Sequence, residues 1–270
     1  MKDMIRGGLV SITFRQLSPE AIVSLVVKAG LQGIEWGGDV HVPHGDLDTA
    51  REVGNRTRDV GLEIASFGSY YRVGESEASG LEFASVLETA LTLEAPLIRV
   101  WAGERSPADA DDAYREMVMS DTRRIADLAA DTDVGIAYEY HGGTLTETVE
   151  STVGLLDAVD RGNVLTYWQP TVHATSEQRE EGLKAVLPRL ANVHVFNWAF
   201  ADDELKRLPL AEAEDDWIRC LRIVGGTGRT HYALIEFVQE DDPDCFLRDA
   251  AVLREWISRF SGFSGRLPHD

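Results

Sequence analysis

The sequence predicts an α/β protein with a (β/α)8 barrel, a TIM barrel, built as a single domain over residues 1–270. Short runs rich in Val, Ile, Leu and aromatic residues recur along the chain, and each has the length of a buried parallel strand. Amphipathic stretches separate these runs. Eight strand–helix units in roughly 250 residues is the number that closes a barrel. The runs lie at 8–13, 32–36, 62–67, 97–102, 134–140, 163–168, 192–197 and 231–238.

Helix boundaries are marked between the predicted strands. A Ser or Asp N-cap followed by Pro at the first helical position predicts helix starts at Ser18-Pro19, Ser106-Pro107 and Asp242-Pro243. Gly30 and Gly61 stand where helix C-caps belong, just before the second and third strands. Strand and helix signals therefore alternate along the chain with no domain boundary between them.

The longer connections, at 37–46, 68–78 and 198–211, follow the carboxyl ends of strands, which in barrels hold the functional loops. A doubly wound sheet would usually show an early glycine-rich phosphate loop, and neither a GxGxxG motif nor a P-loop follows the first strand. The Gly-Gly-Thr-Gly segment at 225–228 comes just before the last strand. This position favours a connecting turn over a phosphate-binding loop.

Composition limits the partners of the chain. It is 44% hydrophobic, enough for a substantial core, and its formal net charge is −20. We expect no nucleic-acid partner, because phosphate-backbone binding needs a basic surface, whereas a small anionic substrate needs only one or two local cations. Cys220 and Cys245 lie in helix-like segments and are expected to be reduced thiols. With neither a signal-peptide core nor a bilayer-length apolar run, we expect a cytoplasmic protein with no membrane partner.

Polar side chains stand at the ends of four consecutive predicted strands. The run VGIAYEYHGG at 134–143 ends in Glu139 and His141, and the later strands bring Gln169, His194 and Glu236. Alternate residues of a strand share a face, so these side chains are expected to point to the barrel axis near its top. The alternation places the intervening residues towards the helices: Val134, Ile136, Tyr138, Val193, Val195, Ile235 and Phe237.

Two carboxylates inside a barrel repel each other and lose hydration, unless a positive charge lies between them. A divalent cation is the simplest such charge. One imidazole, two carboxylates and an amide oxygen are a mixed O/N set suited to Mn²⁺, Mg²⁺, Co²⁺ or Zn²⁺. The structural alternative is a set of ion pairs with Arg99 and ordinary hydrogen bonds in the core.

Five motifs resemble the sugar phosphate isomerase/epimerase family of the xylose-isomerase-like TIM-barrel superfamily: GIEWGGDVHVP, IRVWAG, EYHGG, NVHVFNW and LIEF. The resemblance extends over the whole chain. It implies one divalent metal bound by Glu139, His194 and Glu236, and it places Gln169 where the family usually has Asp. With two carboxylates instead of three, the site should bind metal more weakly and leave it more Lewis-acidic. The resemblance also implies a homo-oligomer, either a dimer or a tetramer.

This constellation and resemblance together predict a metal-dependent isomerase or epimerase of a small sugar or sugar-derived polyhydroxy carbonyl compound, acting through an enediolate. Glu139 and Glu236 are the catalytic pair, since their strands lie three apart around the ring. The alternatives are an inosose-type dehydratase on the same scaffold and a non-catalytic sugar-binding barrel. An endonuclease-like repair function ranks last, because seven scattered His on an acidic chain differ from that His-rich branch. Leu145 stands where the ketohexose epimerases have an acidic residue, which argues against close kinship with them.

Several further side chains are candidates for holding the substrate. For Glu35 the alternative is a structural ion pair, for Arg99 it is neutralisation of Glu139, and for His141 it is orientation of Glu139. His173, four residues beyond Gln169, is a candidate ligand or substrate contact, or else a solvated loop residue. The substrate-binding candidates are Glu35, His41, Arg99, His141, His173 and Trp198.

Overall fold

The computed structural model of the protein describes residues 4–171, 173–201 and 204–260. Within these ranges eight parallel strands close into a barrel in the order β1-β10-β7-β6-β5-β4-β3-β2, which confirms the predicted fold class. The barrel strands are Ile5–Val10 (β1), Gly33–Gly37 (β2), Glu63–Arg72 (β3), Leu97–Trp101 (β4), Gly135–Tyr138 (β5), Val164–Trp168 (β6), Leu190–Val195 (β7) and His231–Ile235 (β10). A two-stranded antiparallel hairpin follows β7, formed by Trp198–Ala201 (β8) and Glu204–Arg207 (β9).

Eight α-helices alternate with the barrel strands in the described part of the chain. Their apolar faces pack against the outside of the barrel and form the larger core, while a smaller apolar cluster fills the barrel interior. The helices are Pro19–Ala29 (α1), Leu47–Asp59 (α2), Phe83–Leu93 (α3), Asp112–Ala129 (α4), Val149–Val159 (α5), Ser176–Val186 (α6), Glu214–Gly225 (α7) and Pro243–Ser258 (α8).

Two of the three predicted helix starts are confirmed. The side chains of Ser18 and Asp242 cap α1 and α8, each with Pro at the beginning of the helix. The start predicted at Ser106-Pro107 is wrong, because Ser106 bonds Asp109 at 2.7 Å in a turn and the side chain of Asp111 caps α4. At the helix ends, Gly30 is the C-cap of α1, and Gly61, with φ +82, directly follows the C-cap of α2.

The first strand lies earlier than predicted. It begins at Ile5 and ends at Val10, and a 3₁₀ turn covers Ser11–Phe14. Pairing with β10 and β2 outweighs the low strand propensity of Gly7 and Gly8. A Cβ atom at Gly8 would lie 2.6 Å from the carbonyl oxygen of Gly33, so the close approach of β1 and β2 requires glycine there.

The strand alternation holds for the residues that direct the site. Ala137, Tyr167 and Leu234 belong to the interior cluster, whereas Ile136 and Val195 belong to the core between barrel and helices. Phe237 is an exception: it packs against the interior cluster rather than towards the helices. Its φ of +50 breaks the extended backbone just after β10, so the period of two no longer applies there.

The Gly-Gly-Thr-Gly segment forms the predicted connecting turn. It joins the end of α7 to the beginning of β10, at the barrel end opposite to Glu236. The hydroxyl of Thr227 lies 2.8 Å from the ring of His231, which ties the turn to the strand. Cys220, in α7, and Cys245, in α8, are both free thiols. No helix in the described ranges is long and apolar enough to span a membrane.

Candidate metal centre

Four side chains from neighbouring strands come together at the carboxyl end of the barrel. Glu139 directly follows β5, Gln169 follows β6, His194 lies in β7 and Glu236 follows β10. Glu139, His194 and Glu236 are buried, and one ligand atom from each lies within 4.8 Å of the others. The adjacent strands thus bring together the polar residues that alternation placed at the axis.

The ring nitrogen Nδ1 of His194 is the centre of this group. It lies 3.0 Å from Oε1 of Gln169, 3.5 Å from a carboxylate oxygen of Glu236 and 3.9 Å from one of Glu139. A divalent ion with donors at about 2.1 Å separates neighbouring donor atoms by about 3 to 4 Å. The spacing of the four donors therefore fits one divalent ion, and the mixed O/N set suits Mg²⁺, Mn²⁺, Co²⁺ or Zn²⁺.

Arg99 lies beside this group, completely buried between two carboxylates. Its Nε donates to Oε1 of Glu35 at 2.6 Å, and its Nη1 donates to Oε2 of Glu139. Burial by itself lowers the pKa of Arg99, but Glu139 and Glu35 raise it well above its ordinary value. Arg99 therefore stays charged, and the two carboxylates share its single positive charge. Pairing with Glu139 is one of the two roles that its sequence position left open.

The carboxylates of Glu139 and Glu236 have unequal surroundings. Oε2 of Glu139 accepts hydrogen bonds from Arg99 and from the indole of Trp101. The backbone carbonyl of Glu139 accepts one from the hydroxyl of Thr146 at 2.5 Å. Among the described residues no side chain donates to the carboxylate of Glu236, which lies 3.5 Å from the ring of His194. Burial raises the pKa of Glu236, and Glu139 raises it further, against the opposing effect of His194. Two side-chain donors thus hold Glu139 in place, while burial favours the protonated form of Glu236.

Glu35 and His41 are both turned into the protein. Glu35 is 0% exposed and contacts Arg99, Ser66 and His194. His41 lies with one ring nitrogen 3.0 Å from the hydroxyl of Ser11 and the other 3.3 Å from the carbonyl of Leu17. The contacts described for both residues are to other protein groups, and a role in binding substrate stays a prediction for each.

Three candidates lie nearer to the mouth. His141 is half-buried and stacks on Trp101 with ring centroids 4.7 Å apart, while its Nδ1 lies 2.6 Å from the carbonyl of Gly142. Trp198 stacks on Phe196 at 3.9 Å. His173 is exposed and stacks on Phe200 of the hairpin at 4.8 Å, with no described contact to the metal donors.

Tyr70 also belongs to the site, although the sequence did not indicate it. Its ring lies over Arg99, with 5.2 Å from the guanidinium carbon to the ring centroid, and against Trp101 at 5.7 Å. Its hydroxyl accepts from Arg15 at 3.1 Å. A positive φ of 56 at a bulky residue is rare and marks local strain. An irregularity in the β3–β4 pairing between Gly68 and Tyr71 produces this placement, and nothing in the sequence pattern predicts it.

A parallel eight-stranded barrel with polar side chains gathered at the carboxyl ends of its strands is an architecture shared by many barrel enzymes. Residues 23–256 match the model of the xylose isomerase-like TIM barrel family, and the chain belongs to this family. This agrees with the superfamily that the sequence motifs resemble.

Individual proteins of known structure or activity are similar to this chain. The 3-dehydroshikimate dehydratase of Bacillus anthracis is 29% identical over 173 residues, which is 59% of this chain and only 60% of that relative. The crystal structure of the probable 3-DHS dehydratase AsbF from the same organism superimposes with a TM-score of 0.75 at 23% identity, covering 92% of this chain and 98% of that one. A xylose isomerase-like TIM barrel protein from Mycobacterium smegmatis, solved in complex with magnesium, gives 0.75 at 16% identity, covering 94% and 97%. The two structural likenesses show the fold.

Proposed function

We propose that this protein is a metal-dependent enzyme that removes a proton next to the carbonyl group of a small polyhydroxylated substrate and expels a neighbouring hydroxyl as water. The proposal makes it a dehydratase of a cyclic hydroxy-ketone. The observation that carries it is the unequal hydrogen bonding of the two carboxylates: Arg99 and Trp101 both donate to Glu139, whereas Glu236 has no such donor among the described residues and is open to accept a proton. An elimination needs one proton acceptor and one proton donor; Glu236 would supply the first role and the ring of His141 the second.

The donor set supports metal dependence. Glu139, Gln169, His194 and Glu236 would hold the ion, and a bound divalent ion polarises a substrate carbonyl and acidifies the adjacent C–H bond. The magnesium complex of the Mycobacterium smegmatis barrel is in keeping with such a site on this fold.

The protein groups then share the proton transfers. Glu236 takes the proton from the carbon beside the carbonyl, and the electron pair of that C–H bond becomes a carbon–carbon double bond as the C–O bond breaks. The leaving hydroxide takes a proton from His141 and departs as water. His141 suits this task in its doubly protonated form, because its Nδ1–H donates to the carbonyl of Gly142 and the proton on Nε2 is the one given to the leaving hydroxide. Trp101 holds the ring of His141 by stacking and holds Glu139 by its indole N–H, so one residue orients both groups.

Similarity to 3-dehydroshikimate dehydratase supports dehydration as the reaction and a cyclic hydroxy-ketone as the substrate. Aromatic side chains at the mouth agree with a ring substrate. Tyr70, Trp101 and His141 lie on one side, and Phe196, Trp198 and Phe237 lie near the other strands. Flat apolar faces of this kind stack on a ring that becomes more planar as water leaves.

An isomerase or epimerase is the second candidate, and the presence of two carboxylates in one donor group favours it. Epimerisation would require Glu139 to release its bonds to Arg99 and Trp101 and act as a second proton carrier opposite Glu236. A cytoplasmic location, a homo-oligomeric state and the absence of other partners stay predictions from the sequence.

The test is turnover in D₂O with Mn²⁺ or Mg²⁺, using 3-dehydroshikimate, inososes and ketohexoses as substrates. We expect a new ultraviolet absorbance and loss of water from a cyclic substrate. Deuterium incorporation without loss of water would instead establish the isomerase, and binding without either change would establish a sugar-binding barrel.

Two variants assign the roles. Glu236→Gln removes the proton acceptor and should reduce turnover by at least about 10²-fold. Glu240→Gln is the matched control, because Glu240 is exposed, carries the same charge and lies only four residues away. Equal losses in the two variants would contradict the role of Glu236.

A further inference from the structure

Glu35 lies behind the metal donors rather than at the mouth. It is 0% exposed, and its two carboxylate oxygens face different groups. Oε1 accepts from Arg99 at 2.6 Å, and Oε2 accepts from the hydroxyl of Ser66 at 2.7 Å. A substrate at the carboxyl end of the barrel would therefore meet Arg99 and His194 before it reached Glu35. The role of Glu35 has to be sought in what it does to these neighbours.

His194 is completely buried, and its two ring nitrogens have different surroundings. Nδ1 faces the oxygens of Gln169, Glu236 and Glu139. Nε2 has no hydrogen-bond partner among the described residues, and a carboxylate oxygen, Oε2 of Glu35, lies 3.6 Å from it. A buried N–H without a partner is costly, so a shift of a few tenths of an ångström towards Glu35 would be favourable.

A neutral imidazole carries its proton on one nitrogen and offers a lone pair on the other. A metal ligand must offer the lone pair, so Nδ1 has to be free of its proton when the ion is bound. Only the tautomer with the proton on Nε2 meets this condition. Glu35, as an acceptor beside Nε2, selects that tautomer.

We propose that Glu35 is a positioning residue that fixes the ring of His194 and its metal-binding tautomer by accepting a hydrogen bond from Nε2. The proposal rests on the metal site of the proposed function but not on the reaction. A carboxylate behind a metal-bound imidazole both sets the tautomer and raises the basicity of the ligand.

Glu35 is itself held by a chain of buried hydrogen bonds. The hydroxyl of Tyr167 donates to Ser66 at 2.7 Å, and the side-chain amide of Asn192 donates to the hydroxyl of Tyr167 at 3.1 Å. On the other side, Arg99 joins Glu35 to Glu139. The same buried cation thus orients one metal donor directly and a second donor, His194, through Glu35.

Glu35→Gln tests the proposal with almost no change in shape. Arg99 Nε still needs an acceptor, so the amide oxygen of the new side chain turns to Arg99 and its NH₂ group faces His194. This arrangement favours the wrong tautomer, with the proton on Nδ1. We expect Co²⁺ to bind about 10- to 100-fold more weakly than to the unmodified protein. Ser66→Ala is the matched control, because it removes the other bond to the same Oε2 and leaves Glu35 charged beside His194.

A second measurement needs no variant of Glu35, which matters if the Gln form does not fold. In the Co²⁺-loaded unmodified protein with ¹⁵N-labelled histidine, we expect one strongly shifted, slowly exchanging N–H resonance from His194. Ser66→Ala should keep this resonance. Absence of this resonance from the Co²⁺-loaded unmodified protein would overturn the proposal. A Co²⁺ affinity of Glu35→Gln within threefold of that of the unmodified protein would also overturn it. A protein that binds Co²⁺ in this way but converts no hydroxy-ketone would refute the proposed reaction alone.

Discussion

Replacing Gln169 by an acid tests the donor set most informatively. Gln169 is half-buried and brings its Oε1 to 3.0 Å from Nδ1 of His194, so it occupies a ligand position without a charge. Gln169→Asp gives the acidic residue that the sequence resemblance implies for this position. Gln169→Glu changes the charge and keeps the length of the side chain. Both variants should bind a divalent ion more tightly than the unmodified protein.

The magnitude follows from the spacing of the donors. At an effective dielectric constant of about 20, a carboxylate about 3 Å from a doubly charged ion gains about 11 kcal/mol. Donor atoms around one ion lie up to about 4 Å apart, so repulsion from Glu139 and Glu236 amounts to about 4 kcal/mol per pair. In the metal-free protein this repulsion makes the new carboxyl bind a proton, which the ion must displace. The net gain is about 3 kcal/mol, or affinity about 100-fold tighter.

Calorimetric titration of Mn²⁺ into the metal-free proteins measures this difference. Gln169→Leu is the companion variant, since it removes the oxygen without adding charge and should weaken binding. The reasoning is refuted if the unmodified protein binds Mn²⁺ as tightly as both acidic variants. Gln169 would then not be a ligand, and the site would be limited to Glu139, His194 and Glu236.

Three further predictions concern the groups around the donors. Trp101→Phe keeps the stacking on His141 but removes the N–H donated to Glu139, so Mn²⁺ affinity should fall by about 10-fold or more; an unchanged affinity in titration would exclude Trp101 as a support of that ligand. Arg99→Met leaves Glu35 and Glu139 buried without their cation, so urea unfolding should show a loss of about 3–5 kcal/mol, and a stability equal to that of the parent would contradict the ion-pair description. Burial lowers the pKa of His231, so the unfolded chain binds a proton that the folded protein does not, and stability falls as the pH drops below about 6.5. In the presence of a metal chelator, the unfolding free energy of His231→Gln should therefore fall less than that of the parent between about pH 7 and about pH 5. Parallel profiles of unfolding free energy against pH would contradict this.

The convergence of these side chains could be predicted because it depends only on the period of a strand and on the geometry of a barrel. Glu139, His194 and Glu236 stand at inward positions where neighbouring strands end, so their convergence follows from chain order alone. Gln169 followed from the same argument, although its chemistry departs from the family pattern.

Other parts of the site depend on backbone irregularities that the hydrophobic pattern does not show. Tyr70 and Phe237 both have positive φ, and each reaches the mouth because the alternation breaks there. The hairpin Trp198–Ala201 and Glu204–Arg207 likewise lies in a segment that the sequence predicted only as a long connection.

The sequence pattern also does not show which neighbours an inward-facing side chain contacts. Arg99 and Glu35 were correctly placed inside the barrel, but the contact between them depends on side-chain conformations across two strand positions. The pattern therefore left open whether Glu35 binds substrate or forms an ion pair. The 0% exposure of Glu35 favours the ion pair.

Anomalous diffraction from crystals soaked in Mn²⁺ tests the metal centre most directly. The account predicts a single strong peak about 2.1 Å from one atom each of Glu139, Gln169, His194 and Glu236, with Nδ1 as the histidine donor. A peak bound elsewhere, or no peak at saturating Mn²⁺, would contradict it.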